Sequence, residues 1–406
     1  MRPVYVLLSH LATTQERTPL FLACYSVLSD LNGDKNRVTW LKSNPANPDG
    51  RGEDRTCSDM RFKKRSVLVA ICVGAICCSL SGAVCTPRVD SALKRRYVRP
   101  KAIPFPADNR WTKQREELGR TLFFDPRLSG SGAISCASCH NPAFGWDDGL
   151  AKGVGHGSRP LARSTPSIVN AAWGEGFFWD GRAKSLEEQA LMPIQSESEM
   201  NLPLDKMIKV VRSIQGYQPL FQRAYPGEAI DQRTIAKAIA TFERTLVSTE
   251  APFDRWIKGD EAAISNSAKR GFVLFNGKCR CAQCHSGWEF TDHKFHNIGT
   301  DDADLGRGKF VKVESMQHAF KTPGLRNAAH RAALLHDGSE ASLKTVIDFY
   351  DQGGMCPQSK SFVEIRPLDL SRSERRELLS FLLSLTSAEP KTEIPTLPER
   401  NNQKYP

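Results

Sequence analysis

A chain of 406 residues is long enough for two or three folding units, and 40 % apolar with 25 % charged residues lies inside the globular range. That balance excludes a wholly disordered chain and a polytopic membrane protein. The net charge of +11 is no nucleic-acid signature, because residues 1–89 carry +5 of it and no basic block with interleaved aromatics occurs anywhere.

Residues 1–59 lack a sustained period and read as an over-extended start outside the fold. Met60 to Arg65 is a basic run, Ser66 to Ala83 is apolar and uncharged, and small residues follow at Ser81-Gly82-Ala83 and Ala83-Val84-Cys85. This three-part pattern predicts a signal peptide over 60–85 and a mature chain in an oxidising compartment, the periplasm. The competing reading is a retained anchor, since 18 apolar residues reach the lower edge of a spanning length.

Pro100 to Pro106 is extended, and Lys113 to Phe124 reads as a short helix leading into the turn-rich loop Asp125 to Gly132. Asp205–Ser213 and Asp231–Ser248 carry apolar residues at helical spacing, the latter through Ile235, Ala238, Ile239, Phe242 and Leu246. Ser267–Phe275 is another short amphipathic helix. Ser371 caps a last one with Leu378, Leu379, Leu382 and Leu385 on its apolar side. Strand signals are sparse. Gly119-x-x-Leu122-Phe123 and Gly271-x-x-Leu274-Phe275 form a weak internal repeat, each preceding a cysteine string, and the polar stretch Lys258 to Glu261 marks a boundary.

Six of the twelve cysteines lie in positions 24–85, and four sit in two Cys-x-x-Cys-His strings. Only Cys279 and Cys356 remain, to pair or stay free, so this is not a disulfide scaffold. Cys136-Ala-Ser-Cys139-His140 and Cys281-Ala-Gln-Cys284-His285 each fit covalent c-type haem attachment. Two thiols three residues apart reach the two vinyl positions, and the next residue places an imidazole under the iron. A four-cysteine zinc site is the alternative, but it leaves the following histidine unexplained in both copies. The expected fold is mostly α, with two cytochrome c-like haem domains, 86–257 and 258–406, and long loops around the prosthetic groups.

Four further motifs decide between a carrier and an enzyme. The run from Leu118 to His140, Phe178-Trp-Asp-Gly-Arg-Ala183 with Leu186-Glu-Glu-Gln-Ala190, Lys321-Thr-Pro-Gly-Leu-Arg-Asn327, and His336-Asp-Gly338 together resemble the bacterial dihaem cytochrome c peroxidases and their MauG (methylamine utilisation) relatives. The resemblance spans about residues 100 to 386. It implies that the first haem is the peroxide site, with Glu199 as distal acid/base, Gln189 as its polar neighbour, and Pro193 and Met200 lining the pocket. Splitting an O–O bond needs a base that takes the proton from one oxygen and returns it to the other, and a carboxyl in a dry pocket can do this. Trp179 matches the tryptophan that relays electrons between the haems.

Three departures matter. His156, 16 residues after His140, falls where the peroxidase branch often carries a removable sixth ligand; among glycines it fits a mobile loop, and an unliganded surface histidine is the open alternative. Tyr350 falls at the sixth-ligand position of the second haem, as in MauG, where classical peroxidases offer a methionine; Met355 and Met316 are the fallbacks. A phenolate stabilises ferric and higher states, whereas a thioether makes an easily reduced donor. Relatives also hold a calcium ion through an asparagine, here Ser164, with Arg331 and Ala333 as carbonyl donors, so calcium is a weaker expectation. The sequence thus predicts a periplasmic dihaem peroxidase that reduces hydrogen peroxide at the first haem with electrons relayed through the second. The donor is either a small c-type cytochrome or cupredoxin, or oxidisable side chains of a partner protein. The rival is a non-catalytic electron-transfer cytochrome.

Overall fold

The computed structural model of the chain describes residues 89–355 and 363–399. The 60–85 leader, the 1–59 segment and Cys356 lie outside the described residues. Among the described residues no helix is long and apolar enough to cross a membrane.

The architecture is helical, with one two-stranded antiparallel sheet, β1 (Phe295–His296) and β2 (Phe320–Lys321). Two long helix pairs set the frame. α2 (Lys113–Phe123) packs along α7 (Gln232–Thr245), and α9 (Asn266–Asn276) packs along α11 (Arg372–Ser384). The residues Leu118, Leu122, Ile235, Ala238, Ile239 and Phe242 face the first core, as their spacing requires. Side-chain caps begin these helices: the Thr112 hydroxyl accepts from Arg115 N, Asp231 from Thr234 N, Ser265 from Ala268 N and Ser371 from Glu374 N. α7 stops at Thr245, three residues before the end its apolar pattern suggests, because Leu246 leaves the helical conformation.

The Gly-x-x-Leu-Phe repeat has a physical meaning here. A Cβ on Gly119 would lie 1.9 Å from the Ala238 carbonyl oxygen, and one on Gly271 would lie 1.9 Å from that of Glu377. Both glycines let two helix backbones touch. The repeat runs further than this motif. Asn170 and Asn327 both take left-handed backbone before a short turn, and Phe178 and Leu335 do so before Trp179 and His336. Ser164 N donates to His336 O and Lys321 N donates to Trp179 O, each at 2.8 Å, so the two halves exchange matching bonds.

The longer helices not anticipated from sequence are α4 (Leu186–Gln195), α6 (Tyr217–Ala224), α8 (Pro252–Ile257) and α10 (Leu343–Gln352). Each core is a separate apolar cluster, the first ending at Leu246 and the second starting again at Phe253, so the change of core precedes the 257/258 division. The chain ends cross over. Near the N-terminus, after α1 (Ser91–Arg95), Tyr97 is buried in the second core, stacked on Phe290 at 4.9 Å. The C-terminal segment returns to the first half, where Trp146 Nε1 donates to Pro390 O at 3.3 Å and Arg127 Nη1 to Pro398 O at 2.8 Å.

Candidate active site

Both cysteine strings form a single tight turn, α3 (Cys136–Cys139) and the 3-10 turn Cys281–Gln283. His140 Nδ1 lies 3.3 Å from Trp146 O, and His285 Nδ1 lies 2.9 Å from Phe290 O. A carbonyl only accepts, so Nδ1 carries the proton in each ring, and in the neutral form Nε2 is the nitrogen with a lone pair. Burial pushes both imidazoles down, toward the neutral ligating form. The accepting carbonyls belong to Trp146 and Phe290, both held in left-handed backbone. These imidazoles would hold the iron of two haems, and the carbonyl behind each ring fixes its orientation.

The four cysteines do not gather, which rules out the zinc alternative: the only group of three close His, Cys, Asp or Glu donors among the described residues is Cys284, Asp292 and His296, within 4.8 Å of one another. His296 sits between two carboxylates, Nδ1 on Glu364 at 2.7 Å and Nε2 on Asp292 at 2.9 Å. Hydrogen bonding to Cys284 and these carboxylates raises it to about 10. This support behind the second string was not foreseen: Asp292 is four residues from His296, but Cys284 is 12 and Glu364 is 68 residues away. Cys279 is a buried free thiol beside Cys281.

The surroundings of the two strings differ. Near the first, α4 ends at Gln195, and its last turn contains Pro193, which cannot donate to the helix ladder. The chain then folds into a turn in which Glu199 N and Asn201 N donate to Ser196 O and Met200 N donates to Pro193 O. That turn places half-buried Glu199 where its charge acts on Cys139, whose thiol burial and the carboxylates of Asp148 and Glu199 raise to about 11. Met200 is buried in the first core, and Gln189 is half-buried on α4. His156 N donates to Ser198 O at 3.1 Å, and His156 Nδ1 is buried without a hydrogen-bond partner. Gly155 permits close packing here, because a Cβ on it would lie 1.9 Å from Ser198 O. The His156 segment is therefore pressed onto the Glu199 turn.

Near the second string, Tyr350 on α10 is half-buried; desolvation of its phenol first, then Cys281 and Cys284, push it well above the ordinary phenol range. Met355 is 57 % exposed, and Met316 lines the groove that also holds His296 and Glu364. Trp179 spans the halves, its Nε1 donating to Ser164 O at 3.0 Å and its ring meeting His336 edge-on at 6.3 Å. Ser164 fits calcium poorly. Its hydroxyl donates to Leu335 O at 2.8 Å and His336 O at 3.2 Å and so is engaged with backbone carbonyls across the halves. The Arg331 side chain is turned to Gly145 O, Asp147 and Glu389.

Residues 113–262 match the family model of the di-haem cytochrome c peroxidases. Over 340 residues the chain is 48 % identical to the methylamine utilization protein MauG of Methylorubrum extorquens, covering 81 % of this chain and 96 % of that protein. It is 34 % identical over 292 residues to the cytochrome c551 peroxidase of Nitrosomonas europaea, covering 70 % of this chain and 84 % of that one. The crystal structure of a MauG-like protein associated with microbial copper homeostasis superposes with a TM-score of 0.66 at 31 % identity, covering 71 % of this chain and 95 % of the other. The chain belongs to the di-haem cytochrome c peroxidase and MauG family, mostly helical oxidoreductases that act on peroxide and carry two covalently bound c-type haems.

Proposed function

We propose that the first string, Cys136, Cys139 and His140, holds the peroxide-reducing haem, and that Cys281, Cys284 and His285 hold the haem that exchanges electrons with a protein partner. The observation that carries this reading is the inequality of the two surroundings: a carboxylate, Glu199, acts on the first string, and a desolvated phenol, Tyr350, on the second. When bound, the haems supply the iron centres that receive peroxide and hold electrons. Glu199 then takes a proton from one peroxide oxygen and returns it to the other, so that two electrons and two protons convert hydrogen peroxide to two waters. Gln189 presents a polar amide from the helix that leads into the Glu199 turn. His156, whose Nδ1 is buried and unpartnered, would close this side to peroxide if it held the iron, and that role belongs to the cytochrome-fed alternative. Trp179, in contact with both halves, carries electrons between them.

Tyr350 favours oxidisable side chains of a partner protein over a small cytochrome as the electron source, because an anionic oxygen ligand disfavours the reduced haem. The identity with MauG proteins supports the same choice. The leader over 60–85 supports a periplasmic location. Stopped-flow absorbance of the haem-loaded, fully ferric protein mixed with peroxide tests the reading. A rapid spectral change that Glu199→Gln slows by about 10²-fold or more is expected. A reaction only after one haem is reduced would instead support the cytochrome-fed cycle, and no reaction in either state would leave an electron carrier.

A further inference from the structure

Helix α7 buries a carboxyl, one oxygen of which has no hydrogen-bond partner among the described residues. Glu243 is 3 % exposed, and its Oε2 makes no hydrogen bond. The neighbouring guanidinium is already taken, since Arg244 bonds both oxygens of Glu187 at 2.7 and 2.9 Å. Burial pushes the Glu243 carboxyl up to about 8 against the pull of Arg244, so it holds a proton at neutral pH. A buried polar group left without a partner costs on the order of 1–3 kcal/mol, and such a group calls for a reason.

The internal repeat shows that the reason is not the fold. Gly119 meets Ala238 and Phe242 of α7 as Gly271 meets Glu377 and Phe381 of α11. One residue beyond each phenylalanine, Glu243 corresponds to Leu382, a member of the second apolar cluster. The same place in the same helix pair accepts a leucine, so the carboxyl is particular to the first half. What lies beside it is the first cysteine string: the charge of Glu243 acts on Cys136, which packs against the first core. The charged and titratable groups that act on Glu243 are Arg244 on its own helix, Glu187 on α4 and Cys136 on α3. α2 and the 171–173 turn also pack on α7 and add no charge that acts on it.

We propose that Glu243 is a redox-linked proton holder for the first haem, keeping a proton on its carboxyl while that haem is reduced and releasing it to solvent when that haem loses an electron. The balance is one for one. Each electron passed toward peroxide leaves one added positive charge on the haem, and the carboxylate left on Glu243 offsets it; re-reduction takes one proton back. In a dry pocket this offset is large compared with the same charge in water. Glu199 serves the oxygens of peroxide, whereas Glu243 serves the charge of the haem and is a positioning residue in the electrostatic sense.

The inference rests on the reading that Cys136–His140 carries a haem. Digestion and mass spectrometry check that reading separately, because its failure would show as a 136–140 peptide without a haem adduct. The test of the inference is spectroelectrochemical titration of the full haem-loaded chain from about pH 6 to pH 10, for the wild type, Glu243→Gln and Glu243→Asp. In the wild type one of the two midpoint potentials should fall as pH rises, since the carboxylate favours the more positive oxidised haem. Glu243→Gln keeps the shape and cannot ionise, so that potential should become independent of pH while the other haem is unchanged. Glu243→Asp should restore the slope. Retention of the wild-type slope in Glu243→Gln, or two wild-type potentials that do not move with pH, would overturn the proposal.

Discussion

Tyr350 shows how much chemistry one side chain can carry. Cys281 and Cys284 act on its phenol, and the proposed ligand role would set the character of the second haem. Phenylalanine at 350 should remove the oxygen donor, shift the absorbance of one haem and raise its midpoint potential, read by the same electrochemistry; an unchanged second haem in Tyr350→Phe would show that the ligand lies elsewhere. The residues of the two strings were legible because thioether attachment demands adjacent thiols and an imidazole in one short run. Glu243 was not, because on a buried helix a glutamate between Phe242 and Arg244 looks like one more polar residue until its missing partner is seen. The His296 support was hidden for another reason: Glu364 reaches it from a different part of the chain.

At the scale of helices, legibility followed amphipathic spacing. α2, α7, α9 and α11 have a clear apolar face, and their predicted ends moved by three residues or fewer at most termini. α4 and α6 carry Pro193 and Pro219, which lower helix propensity, yet one sits in a last turn and the other in a first turn, where proline is tolerated. The repeated glycines make a sharper statement. Gly271→Ala should force α9 away from the Glu377 carbonyl and lower the thermal midpoint, by a loss of about 1–3 kcal/mol, with far-UV circular dichroism retained. An alanine variant with wild-type stability would mean that the helices can slide apart without cost. Gly155 works similarly between loops, holding the His156 segment on the Glu199 turn.

At the scale of the molecule, the internal repeat is deceptive if read as two independent modules. The halves exchange backbone bonds at Ser164, His336, Trp179 and Lys321, and Trp179 touches residues from both. A chain ending after Glu389 should therefore damage the first half, which loses the Pro390 and Pro398 contacts to Trp146 and Arg127. The expected readout is a disturbed spectrum of the first haem with the second nearly intact; two unperturbed haems would show that the returning segment is dispensable.

The crossed chain ends also set an order of events during synthesis. Tyr97 leaves the ribosome long before Phe253, Phe272 and Phe290, the rings it will join, so the earliest part of the described chain must wait for the second core. The first half waits longer still, because residues 390 and 398 follow both cores along the chain. Until then the region around Trp146, six residues past His140, lacks its lid, and the nascent first string stays open to whatever machinery delivers its haem.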